Sequence, residues 1–342
     1  MLAQRRKFMV GVGRRLVASF AVFAAVYGAD AARADGPRVV ASIGPVHSLV
    51  AGVMQGIGSP TLLVPGNASP HTFALKPSDA AALDKADVIF WIGEGLEGFL
   101  VKPLATLGKK ATVVELAEAS GVSMLDRRKG GAWPEHDHNH DEKHAKKDHD
   151  HDHDKKTKTE KHDHAHEDGK DAHLWLDPAN GRAIVAAAVA ALTEKDPGNA
   201  ARYRANGDAV AKGLTALEGE MKAKLSSVSN RPFIVFHDAY QYFEKRFGLR
   251  GVGAITVDPE RPPGARTLKG LRDRIKSAKA VCVFSEPQFE PKLVRSVVEG
   301  TKAKTGVLDP VGAGIAPGPE LYGALLRNMA DAFVGCLSAS AK

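Results

Sequence analysis

From Arg38 onward, short runs rich in β-branched and aromatic residues alternate with longer segments bearing Ala, Leu and Lys. That rhythm predicts βαβ units and parallel-rich sheets, an α/β fold. The pattern occurs twice. The first half predicts strands at 39–43, 61–64, 88–92, 112–115 and 174–176, and the second at 233–236, 253–257, 280–284 and 306–308. Each half is long enough to form its own lobe. Between them, residues 178–195 and 198–228 read as helices, the second opened by Asp196-Pro197. Tyr203, Val210, Leu214, Leu217, Met221, Leu225 and Val228 recur at helical spacing and define one apolar face. Asn206-Gly207 predicts a weak point in its first turns. The expected organisation is a leader at 1–34, an N-terminal α/β lobe at 35–197, a long rigid linking helix at 198–229 and a C-terminal α/β lobe at 230–342.

Two segments depart from this pattern. Residues 1–34 combine a basic start, an apolar run from Leu16 to Tyr27 and Ala32-Arg33-Ala34, the features of a secretory signal. The run of about 12 residues is shorter than the roughly 20 that a spanning helix needs. Residues 136–166 hold ten of the 14 His of the chain, with nine acidic residues and seven Lys. So polar a stretch buries too little surface to offset its ordering entropy and is expected to be a disordered loop. Its imidazoles, His136, His138, His140, His144, His149, His151, His153, His162, His164 and His166, make it a candidate low-affinity collector of Zn, Cu or Ni.

Charge changes the picture less than its total suggests. The formal net charge is +7, but the leader carries Arg5, Arg6, Lys7, Arg14, Arg15 and Arg33 against Asp30, so about five units leave with it. The remainder is too small to argue for nucleic acid. Only Cys282 and Cys336 are present. In an oxidising compartment a disulfide between them and a pair of buried thiols are both open readings.

Outside the loop only His47, His71, His173 and His237 remain. His47 reads as a surface or helix-start residue. The other three sit at or beside predicted strands, where open α/β sheets bind ligands. Three neutral imidazoles with a fourth position filled by a carboxylate or water suit tetrahedral Zn²⁺. Asp309, after the last strand, is the candidate carboxylate, its other reading being a cap on the turn before Pro310. Three His plus water also describes a zinc hydrolase, but no H-E-x-x-H helix is present and Asp238 is expected to face away from His237.

Pro70-His71 with Leu75-Lys76-Pro77-Ser78-Asp79, His173-Leu174-Trp175-Leu176-Asp177-Pro178, Phe236-His237-Asp238-Ala239-Tyr240, Ser285-Glu286-Pro287-Gln288-Phe289 and Leu308-Asp309-Pro310 together resemble the zinc-receptor group, ZnuA, of the metal-binding solute-binding proteins that serve ABC importers. The resemblance spans nearly the whole chain after the leader. It implies two α/β lobes joined by a long rigid helix, with the metal in the cleft between them. It implies His71, His173 and His237 as Zn²⁺ ligands, with a fourth position that varies within the group. Some zinc relatives place Glu before the first ligand, where this chain has Pro70, which leaves Asp309 or water. It also implies a disulfide between Cys282 and Cys336, a periplasmic location and no enzymatic activity. The implied partners are the membrane permease and ATPase of an ABC importer and a periplasmic zinc chaperone, with the protein itself a monomer. Manganese receptors and metal-linked adhesins resemble the same chain, but manganese members usually place a carboxylate where His237 stands.

Overall fold

The computed structural model describes residues 36–128, 133, 169–256, 259 and 263–338. The expected leader and the His-rich loop lie outside these residues.

In the first lobe four parallel strands alternate with helices. In chain order they are β1 (Val39–Ile43), α1 (Gly44–Val53), β2 (Thr61–Val64), α2 (Pro77–Lys85), β3 (Val88–Trp91), α3 (Glu94–Glu97), α4 (Val101–Thr106) and β4 (Thr112–Glu115). The sheet order is β2-β1-β3-β4. Both β1 and β3 are buried at every position, as central strands covered on two faces must be. A short antiparallel pair follows, β5 (Leu125–Asp126) with β6 (Lys170–Asp171).

The second lobe repeats the scheme with β7 (Phe233–His237), α7 (Gln241–Phe247), β8 (Gly251–Thr256), α8 (Ala265–Ser277), β9 (Cys282–Ser285), α9 (Lys292–Val298) and β10 (Lys304–Val307). Its four strands are parallel in the order β10-β9-β7-β8. Between the lobes run α5 (Pro178–Lys195) and α6 (Ala200–Leu225), and the described chain closes with α10 (Leu321–Leu337).

The anticipated strand at 174–176 is instead one 3-10 turn, Leu174–Leu176. Three consecutive apolar residues suit either form. Here the turn feeds directly into α5, whose first residue is Pro178 and whose N-cap, Asp177, accepts from the Ala179 N–H at 2.8 Å. The weak point at Asn206-Gly207 does not interrupt the helix, and α6 runs unbroken for 26 residues, about 39 Å at 1.5 Å per residue. A Cβ on Gly207 would lie 2.4 Å from Val189 Cγ2. Glycine is therefore what lets α5 and α6 approach. Asn206 turns outward to donate from Nδ2 to the Val53 and Gln55 carbonyls, both at 2.9 Å, closing the end of α1.

All ten residues of α1 are buried, beneath α5, α6 and α10. His47 is therefore a helix-start residue but not a surface one: it is buried, with Nε2 3.0 Å from the Pro60 carbonyl. The final helix crosses back over the first lobe, where Ser48 Oγ donates to the Pro319 carbonyl and accepts from the Tyr322 N–H, each at 2.9 Å. One hydrophobic core consequently includes residues of both sheets, and a smaller one lies under α8 and α9. Cys282 on β9 and Cys336 on α10 form a disulfide, with Cα atoms 6.1 Å apart. Among the described residues no helix is long and apolar enough to cross a membrane.

Candidate metal centre

His71 stands in the loop after β2, His173 two residues past β6, and His237 at the end of β7. The loop to His71 starts at a tight contact: a Cβ on Gly66 would meet the Gly312 carbonyl oxygen at 2.7 Å. Side-chain size at that point is excluded because the first-lobe loop rests on the loop after β10. His237 arrives on a fully buried strand. His173 is placed by β6, which belongs to neither main sheet.

The three imidazoles converge. His173 Nε2 lies 3.3 Å from His71 Nε2 and 3.2 Å from His237 Nε2, and the nitrogens that could ligate all lie within 4.8 Å of one another. Nitrogens bound tetrahedrally at 2.0–2.1 Å are separated by about 3.3 Å, so these two spacings are those that a shared Zn²⁺ requires. His173 and His237 are buried and His71 half-buried.

Two carboxylates set the ring orientations. His173 Nδ1 is 2.8 Å from Asp171 Oδ1, and His237 Nδ1 is 2.7 Å from Glu286 Oε1. With each Nδ1–H donated to an acid, the lone pair of each Nε2 faces the other. Two lone pairs at that distance repel, whereas a cation between them is attracted to both. Asp171 is itself held by Gln241 Nε2 at 3.0 Å. Burial alone would raise its pKa, but the hydrogen bonds from His173 and Gln241 hold it below its ordinary value. Burial, then the neighbouring His173, His237 and Arg127, push His71 well below its ordinary value and favour its neutral, ligating form. For His237 burial also opposes charge, yet Glu286, with Asp238 and Asp171 adding to it, outweighs burial and the pKa rises.

Asp309 is not brought into this trio. Its Oδ1 accepts from the Val311 N–H at 3.2 Å and the Gly312 N–H at 2.9 Å, and its Oδ2 from the Ala313 N–H at 2.5 Å. It caps the turn after β10, because backbone donors two to four residues ahead are the nearest partners for a short carboxylate. Asp238, next to His237, is paired with Arg128, which also reaches Glu244 Oε2 at 2.7 Å and lies 3.6 Å from the centre of the Trp133 ring. Asp171, Glu286 and Arg128 have no role in the reading from residue types alone. The available signal was an acid two residues before one His and another just past a strand of the same sheet as the second.

Two parallel α/β lobes, a long connecting helix and imidazoles gathered where both lobes meet define the class of two-lobed metal-binding proteins. The fold matches the crystal structure of a ZnuA with a TM-score of 0.71 at 25% identity, covering 89% of this chain and 100% of that one. It also matches the periplasmic zinc binding protein TroA from Treponema pallidum, again with a TM-score of 0.71, at 22% identity, covering 88% and 99%. The chain belongs to the ZnuA family, zinc-uptake complex component A, periplasmic, whose sequence model matches residues 39–336. The high-affinity zinc uptake system protein ZnuA of Brucella suis is 52% identical over 305 residues, which cover 88% of this chain and 91% of that protein.

Proposed function

We propose that the protein is a periplasmic receptor that captures Zn²⁺ through His71, His173 and His237 and delivers it to the permease and ATPase of an ABC importer. The observation that carries this reading is the pair of Nε2 spacings of 3.2 and 3.3 Å, in rings whose other nitrogens meet carboxylates. Zinc is the cargo. The protein contributes three neutral nitrogens, two acids that keep the rings turned inward and a small cavity with one open coordination position. Asp309 has its oxygens engaged by backbone N–H groups, so the open position falls to water. The family is one of receptors, and absence of turnover belongs to the proposal, supported by the engagement of Asp238 with Arg128. A monomer, exchange with a periplasmic zinc chaperone and metal collection by residues 136–166 complete it.

Metal analysis of the protein purified without chelator, followed by competition with a chromophoric chelator, tests the reading. The wild type is expected to hold one tightly bound Zn²⁺ in preference to Mn²⁺. His71→Ala and His237→Ala should lose more than the 10–100-fold typical of an outer-shell change. Full affinity in either variant removes the ligand assignment. Unchanged stoichiometry and unchanged uptake at limiting zinc after deletion of residues 136–166 remove the collector role.

A further inference from the structure

Gln288, three residues past β9, joins the loops that meet above the imidazoles. Its Nε2 donates to the Gly66 carbonyl in the first lobe and to Asp309 Oδ1 in the second, both at 3.0 Å. A carbonyl and a carboxylate can only accept, so the orientation of the amide is determined: its NH₂ faces them and Oε1 takes the other side. That Oε1 is buried and has no hydrogen-bond partner among the described residues. Buried acceptors are rarely left so. Gln288 also lines, with His71, His173, His237, Glu286 and Trp175, a cavity of about 10 Å³, the space of a single water-sized occupant.

These facts meet at the open coordination position. Three imidazoles supply three corners of a tetrahedron. Asp309 belongs neither to the group of three imidazoles nor to the lining of this cavity, and its oxygens face the backbone donors of its own turn. A water bound to the ion, by contrast, has O–H groups to donate and needs an acceptor in the cavity wall. We infer that Gln288 Oε1 is that acceptor: Gln288 is the positioning residue for the water ligand, while its Nε2 ties the His71 loop to the Asp309 turn. The oxygen serves the water ligand and the NH₂ serves the tie between the loops, so substitution can separate the two roles. The inference rests on the assignment of the three His as ligands.

Gln288→Met keeps the length of the side chain and removes its oxygen, whereas Gln288→Glu keeps an oxygen and removes both Nε2 donors. Each variant, as the full chain, is loaded with Co²⁺ for visible spectroscopy and titrated with Zn²⁺ against a chromophoric chelator. Tetrahedral Co²⁺ absorbs strongly in the visible, while six-coordinate ions on a His- and Asp-rich segment contribute little. The inference expects Gln288→Met to keep one cleft ion, lose 10–100-fold in Zn²⁺ affinity and show shifted Co²⁺ bands, while Gln288→Glu retains bands close to the wild type. Wild-type bands in Gln288→Met, or identical behaviour of the two variants, overturns it, since a purely structural tie would not distinguish them. Should Gln288→Met not fold, shifted bands in Gln288→Glu alone overturn it. Wild-type protein without tetrahedral bands, or His237→Ala with them, overturns the ligand assignment itself, and the inference with it.

Discussion

Glu286→Gln separates the two effects that one buried acid exerts on the centre. Glu286 is 3% exposed and its Oε1 lies 2.7 Å from His237 Nδ1. The hydrogen bond turns Nε2 inward, and the negative charge raises the basicity of the ring against the opposing effect of burial. Glutamine preserves volume and an acceptor oxygen but removes the charge. Loss of such a partner lowers metal affinity by about 10–100-fold, or about 1.4–2.7 kcal/mol. Protons compete for the same Nε2. In the wild type the raised pKa means that competition begins above the ordinary value near 6.5, and in the variant it begins lower. The affinity difference should therefore be largest at pH 8 and shrink towards pH 6. Without metal the sign reverses. A raised pKa stabilises the fold below about 6.5 and that contribution is lost as pH rises through the folded value, so Glu286→Gln destabilises the metal-free protein more at pH 6 than at pH 8. Chelator competition at pH 6, 7 and 8, with thermal unfolding of the metal-free forms, measures both trends. A pH-independent affinity ratio, or affinity within twofold of wild type at pH 8, would refute the reasoning.

Reduction of Cys282–Cys336 frees a closure of 54 residues, which on the chain-entropy account lowers stability by about 4 kcal/mol. Urea midpoints of the metal-free protein with and without reductant should move apart accordingly, and coincident midpoints would exclude a stabilising link. Arg38 holds Asp87 through Nε at 3.0 Å, Nη2 at 2.9 Å and its backbone N–H at 2.9 Å. Those side-chain hydrogen bonds, led by the guanidinium, lower the Asp87 pKa to about 2. The stability they add is present above the unfolded value near 3.9 and disappears as pH falls through about 2. Asp87→Asn should therefore flatten the acid limb of melting temperature against pH between 4 and 2, and an unchanged slope would contradict the pairing.

The strands were legible because burial on both faces leaves a local trace. Near-continuous apolar runs, broken only by Ser42 in β1 and closed by His237 in β7, mark β1, β3 and β7 wherever their neighbours lie in space. The turn at Leu174–Leu176 carries the same trace for a different reason. Trp175 is buried because its Nε1 donates to the Pro310 carbonyl at 2.8 Å and its own carbonyl accepts from the Tyr322 hydroxyl at 2.6 Å, across 135 and 147 residues. Burial of α1, the helix that carries His47, likewise depends on the distant α10, before which Pro319 meets Ser48 across 271 residues. No pattern within either segment encodes such partners.

The centre divides in the same way. Histidine is scarce outside residues 136–166, so three His at strand ends stood out. Acids and amides are common, and they acquire meaning only from what they face. Glu286 meets His237 across 49 residues and Gln288 meets Gly66 across 222. Asp309 shows the converse. It looked available as a ligand because its residue type suits zinc, but backbone N–H groups two to four residues away compete for the same oxygens and are always within reach. Candidate ligands are thus marked by residue type, whereas the orientation of their rings depends on contacts that exist only once both lobes have folded around α6.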